Sequence, residues 1–249
     1  MSERTGTSPR VAIVTGGSRG IGRETAERLA ADGYAVVVDY AGNEAEADKA
    51  VAAITDAGGE ALALRADVAD ETAMAALFDA VEARFGGVDV VVHAAGVMTL
   101  APLADLDLDA LDRMHRTNIR GTFVVGQQAV RRLRAGGALI NFSSSVLALA
   151  LPGYSGYAAG KGAVEAMTLI VAREMRGRDI TVNVVAPGPT ATALYLDGKD
   201  EETIARAAAQ PPLERLGTPQ DIAGVVSFLA GPDGRWVNGQ VLRANGGIA

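Results

Sequence analysis

The sequence predicts a doubly wound α/β fold: a single sheet of about seven parallel strands with helices on both faces. Three observations carry that expectation. Short aliphatic runs alternate with longer stretches of helical spacing along the whole chain. The runs are apolar at nearly every position, as in Val88-Asp89-Val90-Val91-Val92, which suits strands covered on two faces. The first run empties into Thr15-Gly16-Gly17-Ser18-Arg19-Gly20-Ile21-Gly22, and a helical pattern begins at once behind it.

Taken in order, strands are expected at 11–14, 35–39, 61–66, 88–92, 138–142, 180–185 and 240–244, with helices at 21–31, 43–57, 70–85, 108–134, 155–177 and 219–230. The first strand ends where glycines let the backbone turn, and the second ends in Asp39-Tyr40. The third leads into Asp67-Val68, the fourth into His93-Ala94-Ala95-Gly96, and the fifth into Ser143-Ser144-Ser145. Residues 193–212 separate the sixth strand from the last helix, and their acidic run Asp200-Glu201-Glu202 reads as a helix start favoured by the dipole. Trp236 reads as core at the start of the last strand. No Pro/Ser-rich linker or charge block divides the 249 residues, so a polar tail, 1–9, precedes one dinucleotide-binding and catalytic domain, 10–249.

Composition removes several classes. Without cysteine there is no disulfide, thiolate metal site or cysteine nucleophile, and no metal site is expected. A net charge of -7 and the lack of a dense basic block argue against nucleic acid or anionic membrane as partner. No apolar run approaches the ~18 residues of a bilayer span, so a cytoplasmic protein is expected. With 30 glycines and 4% aromatics, the core must come from Ala, Val, Leu and Ile.

Three motifs carry chemistry. The glycines of the first turn allow close approach to a pyrophosphate, whose charge the free N–H groups at the helix start would meet; the alternative is a glycine-rich connection without a ligand. Tyr157 and Lys161 are four apart on the helix at 155–177 and share a face, so the ammonium can stabilise the phenolate and lower a pKa that is normally ~10. That would fit Tyr157 as general acid for a carbonyl oxygen receiving a hydride, or as base in reverse. The serines after the fifth strand place hydroxyls at the carboxyl edge of the sheet, where ligands bind in such folds; otherwise they cap a turn.

In this order and spacing, these motifs resemble the short-chain dehydrogenase/reductase family, closest in pattern to its 3-oxoacyl-(acyl-carrier-protein) reductase branch, over essentially all of the chain after the tail. The resemblance implies Tyr157 as proton donor and acceptor and Lys161 as the residue that holds the nicotinamide ribose. It implies Ser144, thirteen residues before Tyr157, as the group that orients the carbonyl, and Asn118 as support for a water in a proton relay. It implies cofactor contacts at Gly16, Gly17, Ser18, Arg19, Gly20, Ile21, Gly22, at Asp67 and Val68 beside the adenine, at Ala94, Ala95 and Gly96, at Pro187 and Gly188, and at Thr190 and Thr192 by the carboxamide and phosphates. The family's Asn-Asn-Ala-Gly reads His93-Ala94-Ala95-Gly96 here; His93 is taken as a packed strand-end residue and His115 as a surface one.

The cofactor signal is mixed. An acidic residue at the end of the second strand suits NAD, whereas a 2'-phosphate needs a cation. Successive strand residues face opposite ways, so only one of Asp39 and Tyr40 is expected at the ribose. The family's discriminating position matches Tyr40, and Arg19 matches the cation of NADP-preferring members. NADP(H) is therefore the expected cofactor, with NAD(H) possible. Leu147, Leu149, Leu151, Tyr154 and Leu194 are expected to line a pocket for a hydrophobic ketone or its alcohol. Arg131, Arg132 and Arg134 are candidates for a basic patch docking an acyl carrier protein, or else a solvated helix end. The family tail implies a homotetramer or homodimer. The remaining alternatives are an NAD-dependent alcohol dehydrogenase on the same scaffold and a non-catalytic dinucleotide sensor.

Overall fold

The computed structural model describes residues 9–249, so the tail expected at 1–9 lies almost wholly outside the described residues. The strands are β1 Val11–Thr15, β2 Ala35–Tyr40, β3 Glu60–Arg65, β4 Val88–His93, β5 Leu133–Phe142, β6 Thr181–Pro187 and β7 Val241–Ala244. The helices are α1 Gly20–Ala31, α2 Glu44–Asp56, α3 Glu71–Phe85, α4 Leu108–His115, α5 Gly121–Arg132, α6 Val146–Leu149, α7 Ser155–Glu174, α8 Ala193–Leu196, α9 Glu201–Ala209 and α10 Pro219–Ala230. All strand pairs are parallel, in the order β3-β2-β1-β4-β5-β6-β7. The order reverses between β1 and β4, and that switch point opens a crevice at the carboxyl ends of the strands.

Alternation along each strand builds two cores. Val11 and Ile13 join Val91, Leu139 and Val182 under α3, α5 and α7, while Ala12 and Val14 join Val36, Val90 and Ile140 under α1, α2 and α10. The β1 residues are fully buried, each valine or isoleucine contributing about 1.5–3 kcal/mol of hydrophobic stabilisation. Helix ends follow local chemistry: Asp70 accepts the N–H groups of Thr72 and Ala73 to start α3, and Gly86, at φ 82°, ends it. Asp200 caps α9 by accepting from Thr203, as its acidic run predicts.

Three expectations are corrected. The single helix expected at 108–134 is two helices joined by a π-helical turn, Arg116–Arg120, and the chain turns extended at Leu133 to start β5 early. Trp236 is 99% exposed. It precedes β7 by several residues, after the tight turn Pro232–Gly234, and the neighbouring Val237 packs into the core in its place. Arg132 bridges Asp79 and Glu82, and Arg134 pairs with Asp89, where the chain enters β5. That is the amino edge of the sheet, away from the crevice, so this cluster forms no docking patch at its mouth.

Candidate active site

A cavity of about 690 Å³ fills the crevice. Its first wall is the turn between β1 and α1. Gly16 has φ +65°, and a Cβ there would stand 2.8 Å from the Cα of Ala95, so the turns after β1 and β4 touch through their backbones. A Cβ on Gly22 would lie 2.2 Å from the Gly16 carbonyl oxygen, so only glycine lets the helix start this close to the strand. Gly16, Ser18, Arg19, Gly20, Ile21 and Gly22 all border the cavity. Gly17 does not: its N–H donates to the Asp39 carbonyl at 3.0 Å, and the residue faces Val14 and Val38. The exposed Arg19 occupies the N-cap position of α1 and makes no side-chain cap bond, leaving the first N–H groups of that helix open.

Across the switch point stand Ala94, Ala95 and Gly96, and on the opposite side, past β2, stand Asp67 and Val68 at the end of β3. Thr15 ties the β4 end down: its carbonyl accepts from Ala94 N at 3.2 Å and its hydroxyl from Ala95 N at 3.3 Å. Burial opposes ionisation of Asp67, but the Ala69 N–H at 2.9 Å and Arg116 at 2.6 Å outweigh it and hold the carboxyl below its ordinary range. Both Asp39 and Tyr40 border the cavity, which wraps around the end of β2, although their side chains lie on opposite faces of the strand. The wall continues through Ala41, Gly42 and Asn43, which sequence reasoning missed; the signal was present in Asn43, whose side chain accepts from Glu46 N to cap α2. Pro187, Gly188, Thr190 and Thr192 close the far side.

The three serines have different fates. Ser143 donates to Glu165 at 2.7 Å, and Ser145 receives Asn245 at 3.0 Å. Ser144 is half-buried on the cavity wall it shares with Tyr157, and its hydroxyl accepts from Val146 N at 3.3 Å. Tyr157 and Lys161 meet as their spacing requires, with Nζ 5.6 Å from the centre of the phenol ring. Their electrostatics correct the expectation. Burial pushes the Tyr157 phenol up to about 12, with the Ser144 hydroxyl pulling the other way, and burial lowers Lys161 to about 8. The ammonium donates to the Phe142 carbonyl at 2.9 Å, and the phenol is not lowered by it. Asn118 sits in the π-helical turn and does not border the cavity; its side chain accepts from Val97 N at 3.0 Å and donates to Val97 O at 2.8 Å.

His93 is buried, as expected. Its Nδ1 meets the Thr15 hydroxyl at 2.8 Å, Nε2 has no partner, and burial reinforced by the Lys161 charge lowers its pKa to about 3. His115 is half-buried and its Nε2 meets the Gly156 carbonyl at 2.9 Å, so it joins α4 to the start of α7. Leu149, Leu151, Tyr154 and Leu194 border the cavity; Leu147 turns instead toward Gly162 of α7.

A parallel sheet in this order, with a glycine turn at the switch point and a Ser-Tyr-Lys group on the facing wall, defines a nucleotide-dependent oxidoreductase architecture. The chain matches the enoyl-(acyl carrier protein) reductase family model over residues 16–249. It is 43% identical over 251 residues to a short-chain type dehydrogenase/reductase of Picea abies, covering 96% of this chain and 92% of that protein. It is 39% identical over 252 residues to an NADPH-dependent aldehyde reductase-like chloroplastic protein of Arabidopsis thaliana, covering 96% and 93%. A crystal structure of a short-chain dehydrogenase from Burkholderia cenocepacia in complex with NADP superimposes with a TM-score of 0.90 at 38% identity, covering 96% and 97%. The chain belongs to the short-chain dehydrogenase/reductase family, and it is an NAD(P)-dependent oxidoreductase. Among the described residues, no helix is long and apolar enough to cross a membrane.

The walls fit a dinucleotide. The cavity is long enough to join the glycine turn to Tyr157, the open head of α1 suits a pyrophosphate, and the Gly16–Ala95 contact leaves backbone where a side chain would obstruct.

Proposed function

We propose that the protein is an NADP(H)-dependent carbonyl reductase acting on a hydrophobic ketone, β-ketoacyl or otherwise, with Tyr157 as general acid. The observation that carries this is that Ser144, Tyr157 and Lys161 line the same cavity as the glycine turn. A nicotinamide held in this cavity would supply the hydride. Ser144 orients the substrate oxygen and Tyr157 gives it a proton, the same phenol serving as base in the reverse direction. Lys161 supports the site from the Phe142 carbonyl and, with Asn118 fastened to Val97, fixes the floor beneath the nicotinamide end. Leu149, Leu151, Tyr154 and Leu194 exclude water around the carbonyl.

Arg19 supports the choice of NADP(H): it stands at the cavity by α1 and has no ion-pair partner among the described residues. The NADP complex of the Burkholderia relative and the NADPH-dependent naming of the Arabidopsis one point the same way. The single domain of residues 10–249 is proposed to work as a homotetramer or homodimer, for which the exposed Phe123 of α5 and Leu169 and Ile170 of α7 offer apolar area.

The test follows NADPH and NADH oxidation in parallel over β-ketoacyl thioesters, β-ketoesters, cyclic diketones, aryl ketones and a steroid ketone. Turnover with NADPH on one class supports the reading and narrows the substrate. Turnover with NADH alone overturns the cofactor assignment, and cofactor binding with no turnover on any class favours a sensor. Arg19→Ala is expected to weaken NADPH binding about tenfold and NADH binding little, by loss of one charge-assisted contact.

A further inference from the structure

Beside the Tyr157 end of the cavity lies a second, shallower hollow of about 460 Å³, within the ~300–1,000 Å³ of ligand sites. Val146, Leu151 and Tyr154 border both, so the two spaces share a wall. Tyr154 is the partition: its ring stands edge-on to that of Tyr157, with 6.5 Å between centres and 71° between planes. Local structure builds the hollow. Ala150 takes φ 49° to end α6, and the turn that follows lays Gly153 against the chain leaving β4, where Ala101 N donates to the Gly153 carbonyl at 3.1 Å. Pro102 and Leu103 thereby border the same hollow as Pro152 and Ala158 of α7. Leu103 is 76% exposed on this rim, and Leu151 and Leu194 are exposed too, apolar surface that a bound ligand would take out of water.

Charge around this end is as uneven as polarity. From Val146 to Gly160 the chain carries no charged residue, and no charged side chain borders the hollow. The two other segments that wall this end, 97–110 and 189–212, hold seven carboxylates and two cations. Neither cation is free: Lys199 is folded onto the carbonyl and ring of Tyr195, and Arg206 pairs with Glu202. Lys161 is buried and donates to the Phe142 carbonyl, and Arg113 leans toward Asp107 at 3.8 Å. A phosphate or an acidic protein brought to this rim meets like charge and no open cation, whereas a neutral apolar body gains by burial there. We propose that the substrate is a free, uncharged ketone whose apolar body runs past Tyr154 into this hollow, with its carbonyl at Ser144 and Tyr157. The inference rests on the reductase reading above and narrows its substrate: an acyl group delivered on coenzyme A or on an acidic carrier protein does not suit this rim.

The experiment measures kcat/KM at saturating reduced cofactor for methyl n-alkyl ketones from butanone to 2-nonanone. It compares the unmodified protein with Leu103→Asp, which puts a charge on the rim, and with Ala158→Leu, which fills the hollow from α7. In the unmodified protein kcat/KM is expected to rise about threefold per added methylene until the hollow is full. Both variants are expected to lose about tenfold on 2-nonanone and to keep butanone within about twofold. A flat series in the unmodified protein, or an undiminished rise in the variants, overturns the proposal. Leu103 is exposed, so Leu103→Asp decides the matter if Ala158→Leu does not fold. A second arm offers one β-ketoacyl group as its N-acetylcysteamine thioester and as its coenzyme A thioester, which differ in the charged tail. The neutral form is expected to be preferred about tenfold; equal or better use of the coenzyme A form overturns the proposal. Silence on every ketone and thioester with either cofactor refutes the reductase reading itself. The hollow is then decided by calorimetric binding of 2-nonanone to the cofactor-loaded protein, where equal dissociation constants for the unmodified protein and Leu103→Asp overturn it.

Discussion

The two edges of the one sheet treat polar groups in opposite ways. At the amino edge, Asp89 accepts from Val11 N at 2.7 Å and pairs with Arg134, Arg10 donates to Tyr34 at 3.0 Å and to the Gly136 carbonyl at 3.0 Å, and Arg235 reaches both the Gly137 carbonyl and Asp179. At the carboxyl edge, Asp39, His93 and Asn141 each keep a buried atom without a partner. The residues whose protonation is most displaced by burial, Asp39, His93, Tyr157 and Lys161, also lie there. Thr181 Oγ1 is an exception, a neutral hydroxyl left unpaired at the amino edge. The lesson is one of division: ion pairs dominate the amino end of the strands, while at the carboxyl end, where Asp67 with Arg116 is the paired exception, buried polar atoms are left without partners.

The largest expected effect tests that division at the carboxyl edge. Tyr157→Phe should lower kcat by about 10³-fold while dissociation constants for cofactor stay within about threefold, since the lost group acts only in proton transfer; turnover near the unmodified rate would move the acid elsewhere. Next, Asp89→Ala should cost about 3 kcal/mol in chemical unfolding by leaving Val11 N and Arg134 unpaired, with kcat unchanged in the folded fraction. A fall in kcat would break the separation of the edges.

A smaller effect belongs to the pH dependence of stability. The Asp39 carboxyl ionises near ~3.9 in the unfolded chain but only at about 8 in the folded one. The stability it confers is therefore fully present below about pH 4, is lost progressively as the pH rises, and is gone above about 8. Relative to Asp39→Asn, the ligand-free protein should lose about 1–2 kcal/mol between pH 5 and 8, allowing for relaxation around the charge; a constant difference would show an Asp39 already ionised. Smallest of all, His93→Asn should change stability by less than about 1 kcal/mol and leave kcat within about twofold. A larger loss of kcat would give the imidazole a part in the chemistry.

The sheet and its glycine turn were legible because both follow from local pattern: apolar runs, spacing and the glycines at 16, 20 and 22. The break at Arg116–Arg120 was not, since the segment Arg-Thr-Asn-Ile-Arg contains neither proline nor glycine, and an inserted residue in a helix is fixed by what packs against it. The meeting of Tyr157 and Lys161 was readable from a spacing of four. The direction of the phenol's shift was not, because it depends on how deeply the whole fold buries the ring. The misplaced Arg132 and Arg134 could have been read correctly: residues that precede a parallel strand lie at its amino edge, whereas the crevice is at the other. Asn43 was missed for the opposite reason, as its cap position was visible but its place on the cavity wall required the end of β2.

Trp236 is the sole tryptophan of the chain and is 99% exposed. The protein thus carries an intrinsic optical reporter on its outer surface, on a segment that borders neither the cavity nor Tyr157. Its emission should sit at the wavelength of indole in water, and any surface that comes to cover it would shift that emission to the blue. Self-association can then be followed by dilution into buffer, with a signal that belongs to the periphery while the nicotinamide's own fluorescence reports the interior.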